Sequence, residues 1–195
     1  DISSCQDIIT GINNGCHISD CLLIGGETAE MNGIYRYGKF DVAGFAVGVV
    51  KYQIPKTIEV GNFIYGIKSN GIHSNGYTLI RKILKYSKYD LQSLLQPTRI
   101  YTEILDLLDK YHHIITGIAH ITGGGHIDNI TRRLTPGISF QYNKWEFPDV
   151  FKWVQQQTQM TDMEMLHTFN CGYGMVIITQ QEIHQEQLHY LGTII

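Results

Sequence analysis

The chain has 195 residues, with 15 Lys and Arg against 18 Asp and Glu, for a formal net charge of −3. That balance excludes a protein built mainly to bind nucleic acid, which would carry a basic excess, and 43% hydrophobic against 17% charged residues exclude a disordered chain. No apolar run approaches the ~20 residues that span a bilayer and the opening does not read as a secretory signal, so a soluble cytoplasmic protein without a membrane partner is expected.

Cys5, Ile8, Ile9 and Ile12 recur at helical spacing, so residues 1–15 read as the middle of a helix and the chain as cut rather than naturally started. Residues 21–24 predict a short apolar strand that stops at Gly25-Gly26, and turn signals follow at Asn32-Gly33 and Gly38-Lys39. Residues 40–52 form a long β-type run whose Gly44 and Gly48 suggest a bulge or a close backbone approach. A strand over 63–68 ends at Ser69-Asn70-Gly71, and a helix over about 75–86 carries Leu79, Ile80, Ile83 and Leu84 on one side. A second helix opens at Pro97-Thr98, with Ile100, Tyr101, Ile104, Leu105 and Leu108 as its stripe.

A strand over 114–121 runs into Thr122-Gly123-Gly124-Gly125, followed by a short helix over 127–134 and a strand over 137–142. Pro148 starts a helix carrying Phe151, Trp153 and Val154, and Thr161 with Glu164 makes a capping box. Residues 170–174 lead into a buried strand over 175–179, and 180–191 reads as a final amphipathic helix. Strands and helices alternate without regular βαβ spacing, which predicts an α+β (mixed α/β) domain, a mixed sheet packed with helices.

Cys5, Cys16, Cys21 and Cys171 do not make a disulfide framework in a chain of this length. Cys16, His17 and Cys21 lack the second ligand pair that a zinc site needs, so reduced thiols are expected. Three glycine loops, each at the end of an expected strand, stand out: Gly25-Gly26-Glu27-Thr28, the segment 70–76, and Thr122-Gly123-Gly124-Gly125. Glycine lets backbone amides converge on an anion. One such loop reads as a tight turn, whereas three in one domain shift the reading toward phosphate binding. None matches GxxxxGK[ST] or GxGxxG, which disfavours a P-loop ATPase and a Rossmann dehydrogenase.

Polar side chains gather at the same loops, each with two readings. Ser74 or Asn75 serves as a helix N-cap or a ligand contact. His73 is a solvated turn residue, or binds phosphate or moves a proton near neutral pH. Glu27 closes a turn or offers magnesium a carboxylate, and His120 reads as a core histidine bonded to the backbone. Asn170 is a turn former or a hydrogen-bond partner for a ligand amide or ribose. From the residues alone, the expectation is a phosphate-handling α/β domain.

Six segments carry a family likeness: Leu23-Ile-Gly-Gly-Glu-Thr-Ala-Glu-Met31, Asp41-Val-Ala-Gly-Phe45, Asn70-Gly-Ile-His-Ser-Asn-Gly-Tyr77, Pro97-Thr-Arg-Ile-Tyr101, Ala119-His-Ile-Thr-Gly-Gly-Gly125 and Thr168-Phe-Asn-Cys-Gly172. In this order they resemble the aminoimidazole ribonucleotide synthetases, the phosphoribosylformylglycinamidine cyclo-ligases of purine biosynthesis. The resemblance implies an N-terminal, ATP-binding domain that pairs in a homodimer, a C-terminal α/β domain, and an active site in the cleft between them. Residues 1–50 would be the end of the first domain and 51–195 the second. It implies ATP and Mg2+ as cofactors and formylglycinamidine ribonucleotide as the small-molecule substrate. ATP phosphorylates the formamide oxygen, the amidine nitrogen attacks the activated carbon, and phosphate leaves as the imidazole ring closes.

On the family's motifs, His73, Glu27 and His120 are the catalytic candidates, and Gly25, Gly26, Thr28, Ser74, Asn75, Thr122, Gly123, Gly124 and Asn170 the substrate and ATP contacts. Several sister families carry a magnesium-binding acid where His120 stands, so the histidine implies a hydrogen-bonding role, and no metal ligand is assigned. Asn32 stands where many members have proline, and His126 where many have an aromatic or apolar residue. The family's glycine-rich segment and its aspartates for Mg-ATP would precede Asp1, so little or no turnover is expected of these residues alone. Two other readings are an ATP-dependent phosphotransferase of a sister family and a non-catalytic nucleotide- or phosphate-binding module that needs a partner chain.

Overall fold

A computed structural model describes residues 2–54 and 57–195, with the side chain of Ile2 left aside. The chain divides into two units, Asp1–Gln53 and Ile54–Ile195. Among the described residues no helix is long and apolar enough to cross a membrane.

The first unit holds one helix, α1 (Ile2–Ile18), in agreement with the apolar spacing of its opening residues. After it the backbone is irregular, with a single isolated bridge between Asn32 and Tyr35. The strands expected at 21–24 and 40–52 do not form, and Gly25-Gly26 therefore follows no strand. Leu22, Ile24, Phe45 and Val49 are about nine-tenths exposed. An extended run becomes a strand only when a neighbour takes its amides and carbonyls. Among the described residues of this unit no such neighbour lies beside either run.

The second unit is built on a five-stranded sheet: β1 (Phe63–Lys68), β2 (Ile115–His120), β3 (Phe140–Tyr142), β4 (Tyr173–Thr179) and β5 (His189–Ile194), in the order β2-β4-β1-β5-β3. The α+β class holds. The sheet expected to be mixed is antiparallel at every pairing. Alternation along β4 divides the core, Val176 and Ile178 joining Ile64, Ala119 and Ile194 in one cluster. Ile177 joins Tyr65, Ile67, Leu107 and Ile115 in another.

The helices are α2 (Tyr77–Ile83), α3 (Leu91–Leu94), α4 (Glu103–Tyr111), α5 (Gly125–Thr131), α6 (Asp149–Thr158) and α7 (Asp162–Thr168). Ile80, Ile83 and Leu94 meet Phe151, Val154, Met165 and Phe169 in a third cluster. Both halves of the Thr161–Glu164 capping box are made.

Two helix expectations also fail in this unit. Residues 180–191 do not form a helix: a turn leads into β5, which pairs with both β1 and β3, so strand pairing overrides a helix-like spacing. The helix expected from Pro97 begins only at Glu103, because residues 97–102 are engaged elsewhere. Asn70 Nδ2 donates to the Pro97 carbonyl (2.9 Å) and Arg99 Nη1 to the Lys68 carbonyl (2.6 Å).

Antiparallel pairing fixes where the loops go. β1 and β2 both end where β4 begins, with Lys68 opposite Tyr173 and His120 opposite Met175. The loops 69–76 and 121–124 and the segment 169–172 therefore converge at one end of the sheet.

Candidate functional site

His73 stands in the loop after β1 with φ 57°, a left-handed conformation that costs a non-glycine residue on the order of 1–2 kcal/mol. It is 3% exposed. Its Nε2 lies 3.0 Å from Asn70 Oδ1, and because Asn70 Nδ2 is donating to Pro97, that oxygen is an acceptor. Nε2 therefore carries the proton, and Nδ1 keeps a bare lone pair. That Nδ1 is buried and has no hydrogen-bond partner among the described residues. Burial, then the neighbouring His120 and Arg99, lower the pKa of His73 to about 4, so the ring is neutral at pH 7.

Tyr101, which precedes α4, is 8% exposed, and its hydroxyl, set against the Gly174 backbone, likewise makes no well-formed hydrogen bond among the described residues. Burial pushes this phenol well above its ordinary pKa. The centroids of His73 and Tyr101 are 6.1 Å apart, those of Tyr101 and His120 5.8 Å, and those of His73 and His120 6.3 Å. Gly174 on β4 makes room for the group. A Cβ there would fall 2.1 Å from the Tyr101 hydroxyl oxygen and 2.5 Å from His73 Cε1, so no other residue fits without displacing both rings. Arg99 lies 5.2 Å above the Tyr101 ring and pairs with Glu103.

His120 is not the core histidine expected. It closes β2 with its side chain exposed, and partial burial lowers its pKa. Of the three rings it is the one solvent reaches.

The two glycine loops approach each other beside this cluster, Asn75 Oδ1 lying 3.9 Å from where a Cβ of Gly123 would be. Neither Ser74 nor Asn75 caps α2. Gly76, in the left-handed region, is the N-cap, and Gly124 does the same for α5, with no side-chain cap bond among the described residues in either case. Ser74 Oγ is instead 3.2 Å from Thr98 Oγ1. Thr122 donates to Asn129 Oδ1 (3.3 Å), and Asn129 Nδ2 donates to the carbonyls of Thr122, Gly123 and Gly125, bracing the triple glycine from behind.

Asn170 is 2% exposed and its side chain is fully engaged within the protein. Oδ1 accepts from Ser69 Oγ (2.7 Å) and the Gly172 amide (3.0 Å), and Nδ2 donates to the Gly71 carbonyl (2.9 Å). Its own carbonyl accepts from His126 Nε2 at 2.8 Å. That bond leaves His126 Nδ1 to accept from the Tyr142 hydroxyl, also at 2.8 Å. His126 and Asn129 are the supporting residues that sequence reasoning missed. Helical spacing held the signal, since 126 and 129 share the buried face of α5 with Ile130.

Gly25, Gly26, Glu27 and Thr28 lie in the first unit, where all four are exposed and both glycines have open space around them. Among the described residues no group of three His, Cys, Asp or Glu converges as a metal site. The side chains of the described residues therefore do not form a magnesium site.

Residues 59–193 match the family described as AIR synthase related protein, C-terminal domain. The phosphoribosylformylglycinamidine cyclo-ligase of Bordetella pertussis (strain Tohama I) is 43% identical over 193 residues, 91% of this chain and 55% of that one. That of Neisseria meningitidis serogroup B (strain MC58) is 44% identical over 199 residues, 93% of this chain and 57% of that one. The chain thus spans about half the length of the curated relatives it matches. Among solved structures, thiamine monophosphate kinase from Aquifex aeolicus aligns with 72% of this chain and 50% of that chain, at 13% identity and a TM-score of 0.48. With more than half its length in that match, the chain belongs to the family of AIR synthase related proteins, as a carrier of their C-terminal domain.

Proposed function

We propose that the chain provides the C-terminal share of an aminoimidazole ribonucleotide synthetase site. The reaction is ATP-dependent ring closure of formylglycinamidine ribonucleotide, with release of ADP and phosphate, in the purine biosynthesis of the cytoplasm. Support comes from the relatives, which carry the cyclo-ligase name, and above all from the cluster of His73, Tyr101 and His120 beside two glycine loops. In this reading ATP activates the formamide oxygen of the substrate. His120, exposed and neutral at pH 7, takes the proton that the amidine nitrogen sheds as the ring closes. His73 stays neutral behind it, so that His120 gains its charge without a second cation beside it.

Ser74, Asn75, Thr122, Gly123 and Gly124 contact substrate or ATP through the open faces of their loops. Asn170 acts one layer back by holding loop 69–71 in place. Gly25, Gly26, Glu27 and Thr28 contact substrate or ATP in this reading, in which the enzyme is a homodimer with small molecules as ligands and no nucleic acid or membrane.

The test is phosphate release from ATP by a chimera that joins residues 59–195 to the N-terminal part of the Neisseria meningitidis relative. Release that needs formylglycinamidine ribonucleotide, and that falls at least ~100-fold in His120→Ala, is the expected outcome. A folded chimera that binds nucleotide without turnover supports a binding module instead. Turnover of ATP on a different acceptor supports a phosphotransferase.

A further inference from the structure

Away from the histidine cluster, a cavity of about 540 Å³ lies against β1, β5 and the segment that joins β4 to β5. Its inner wall is aromatic. Tyr65 and Tyr190 face each other across the β1–β5 pair with centroids 5.8 Å apart and planes at 57°. Phe63 stands 6.2 Å from Tyr190 at 55°. Packed against one another, these rings turn the negative π face of Tyr190 outward to whatever enters the cavity. Tyr190 is 48% exposed, a large ring left at the mouth.

The outer wall is pinned down. Ile183 N donates to the Tyr65 hydroxyl (3.0 Å), Gln185 Nε2 to the Tyr111 hydroxyl (2.7 Å) and Thr179 Oγ1 to the Gln181 carbonyl (2.7 Å). Ile183 and Leu188 are buried beneath it. The cavity is therefore formed before any ligand arrives, and its volume falls in the range of small-molecule sites.

That wall carries two carboxylates, Glu182 and Glu186, both exposed. His184 lies 3.8 Å from Glu182 and is the one basic side chain among the described residues of the lining. The charge of Glu182 reaches Tyr65, where it adds to burial in raising the phenol's pKa. An anion would meet carboxylates and π faces of its own sign. A neutral apolar ligand would strip water from the carboxylates without compensation. A cation with an alkyl body satisfies both walls.

We propose that this cavity binds an organic ammonium ion, with its alkyl body against Phe63, Tyr65 and Tyr190 and its charge toward Glu182 and Glu186. Free diamines and the lysine side chain of another protein share that chemistry. The proposal does not depend on the ring-closure reading.

The experiment titrates the 195-residue chain with putrescine and, separately, with N-acetyl-lysine methylamide, using sodium chloride at equal ionic strength as the control. Aromatic carbon–proton NMR signals of Tyr65, Tyr190 and Phe63 report binding. Saturable shifts confined to these rings are expected, with affinity weakened about fivefold in Tyr190→Ala and in Glu182→Gln/Glu186→Gln. Tyr190→Phe, which keeps the π face, binds within about twofold of the parent. Saturation by the lysine mimic alone assigns the source to a protein side chain, and saturation by putrescine as well extends it to free amines. The proposal is overturned if sodium chloride reproduces the shifts, if neither amine saturates, or if folded Tyr190→Ala binds as the parent does.

Discussion

His73 and His126 are two buried histidines whose pKa values burial lowers to about 4, yet their surroundings differ in kind. His126 has both nitrogens bonded, one to the Asn170 carbonyl and one to the Tyr142 hydroxyl. His73 has one nitrogen bonded to Asn70 and one bare, beside a tyrosine hydroxyl that is also unpartnered among the described residues. The two values coincide for different reasons: at His126 hydrogen bonds to the backbone offset part of the effect of complete burial, whereas at His73 the nearby His120 and Arg99 add to that of burial. What separates a supporting histidine from a candidate for chemistry is the unmet hydrogen-bonding capacity, which costs stability and is not accumulated without cause.

The comparison can be broken most directly at His126. His126→Ala leaves a cavity and strips both the Tyr142 hydroxyl and the Asn170 carbonyl of a partner, at a cost of about 3–5 kcal/mol in urea unfolding. A loss no larger than that of His73→Ala would erase the distinction drawn here.

Acid comes next. The ordinary histidine pKa of 6.5 is lowered to about 4 in the folded state at both positions, so between those values the unfolded chain binds more protons. Stability is therefore full above pH 6.5 and is lost as pH falls toward 4, with fully buried His126 contributing about 3 kcal/mol of the loss. Unfolding curves at pH 7, 5.5 and 4.5 check the sign, and a flat profile would contradict the burial of both rings.

The smallest effect sharpens the contrast through the two tyrosines. Tyr142→Phe removes the donor to His126 Nδ1 and costs about 1–3 kcal/mol. Tyr101→Phe removes a hydroxyl with no partner among the described residues and leaves thermal stability within about 0.5 kcal/mol or raises it. Equal losses from the two would show that the Tyr101 hydroxyl is satisfied.

Much of the second unit is legible from residue pattern. The apolar runs of β1, β2 and β4 and the Thr161–Glu164 cap announce themselves, because each is a local preference that the packing keeps. β5 is not legible: Ile183, Leu188 and Leu191 fall at spacings a helix also permits, and only pairing with β1 and β3 decides. Residues 97–102 look helical until the bonds to Asn70 and Arg99 are known. In the first unit the run over 40–52 is rich in Val and small residues, but such a run names a strand without supplying its neighbour.

The site divides in the same way. His73, His120 and the glycine loops stand out as residues at loop ends. The orphan hydroxyl of Tyr101 and the bracing by His126 and Asn129 depend on neighbours far along the chain, such as Asn170, 44 positions after His126.

The strand order has a consequence for how the domain is made. β1 is the first strand of this sheet to leave the ribosome, yet it lies inside the sheet between β4 and β5, over 100 residues later in the chain. Its ladder bonds must wait until residues 173–194 are synthesised, and during that wait Phe63 to Lys68 offers two open edges. A strand held open through most of translation is a target for chaperones and for mispairing. The domain's yield in a cell is then set by how quickly its last two strands find its first.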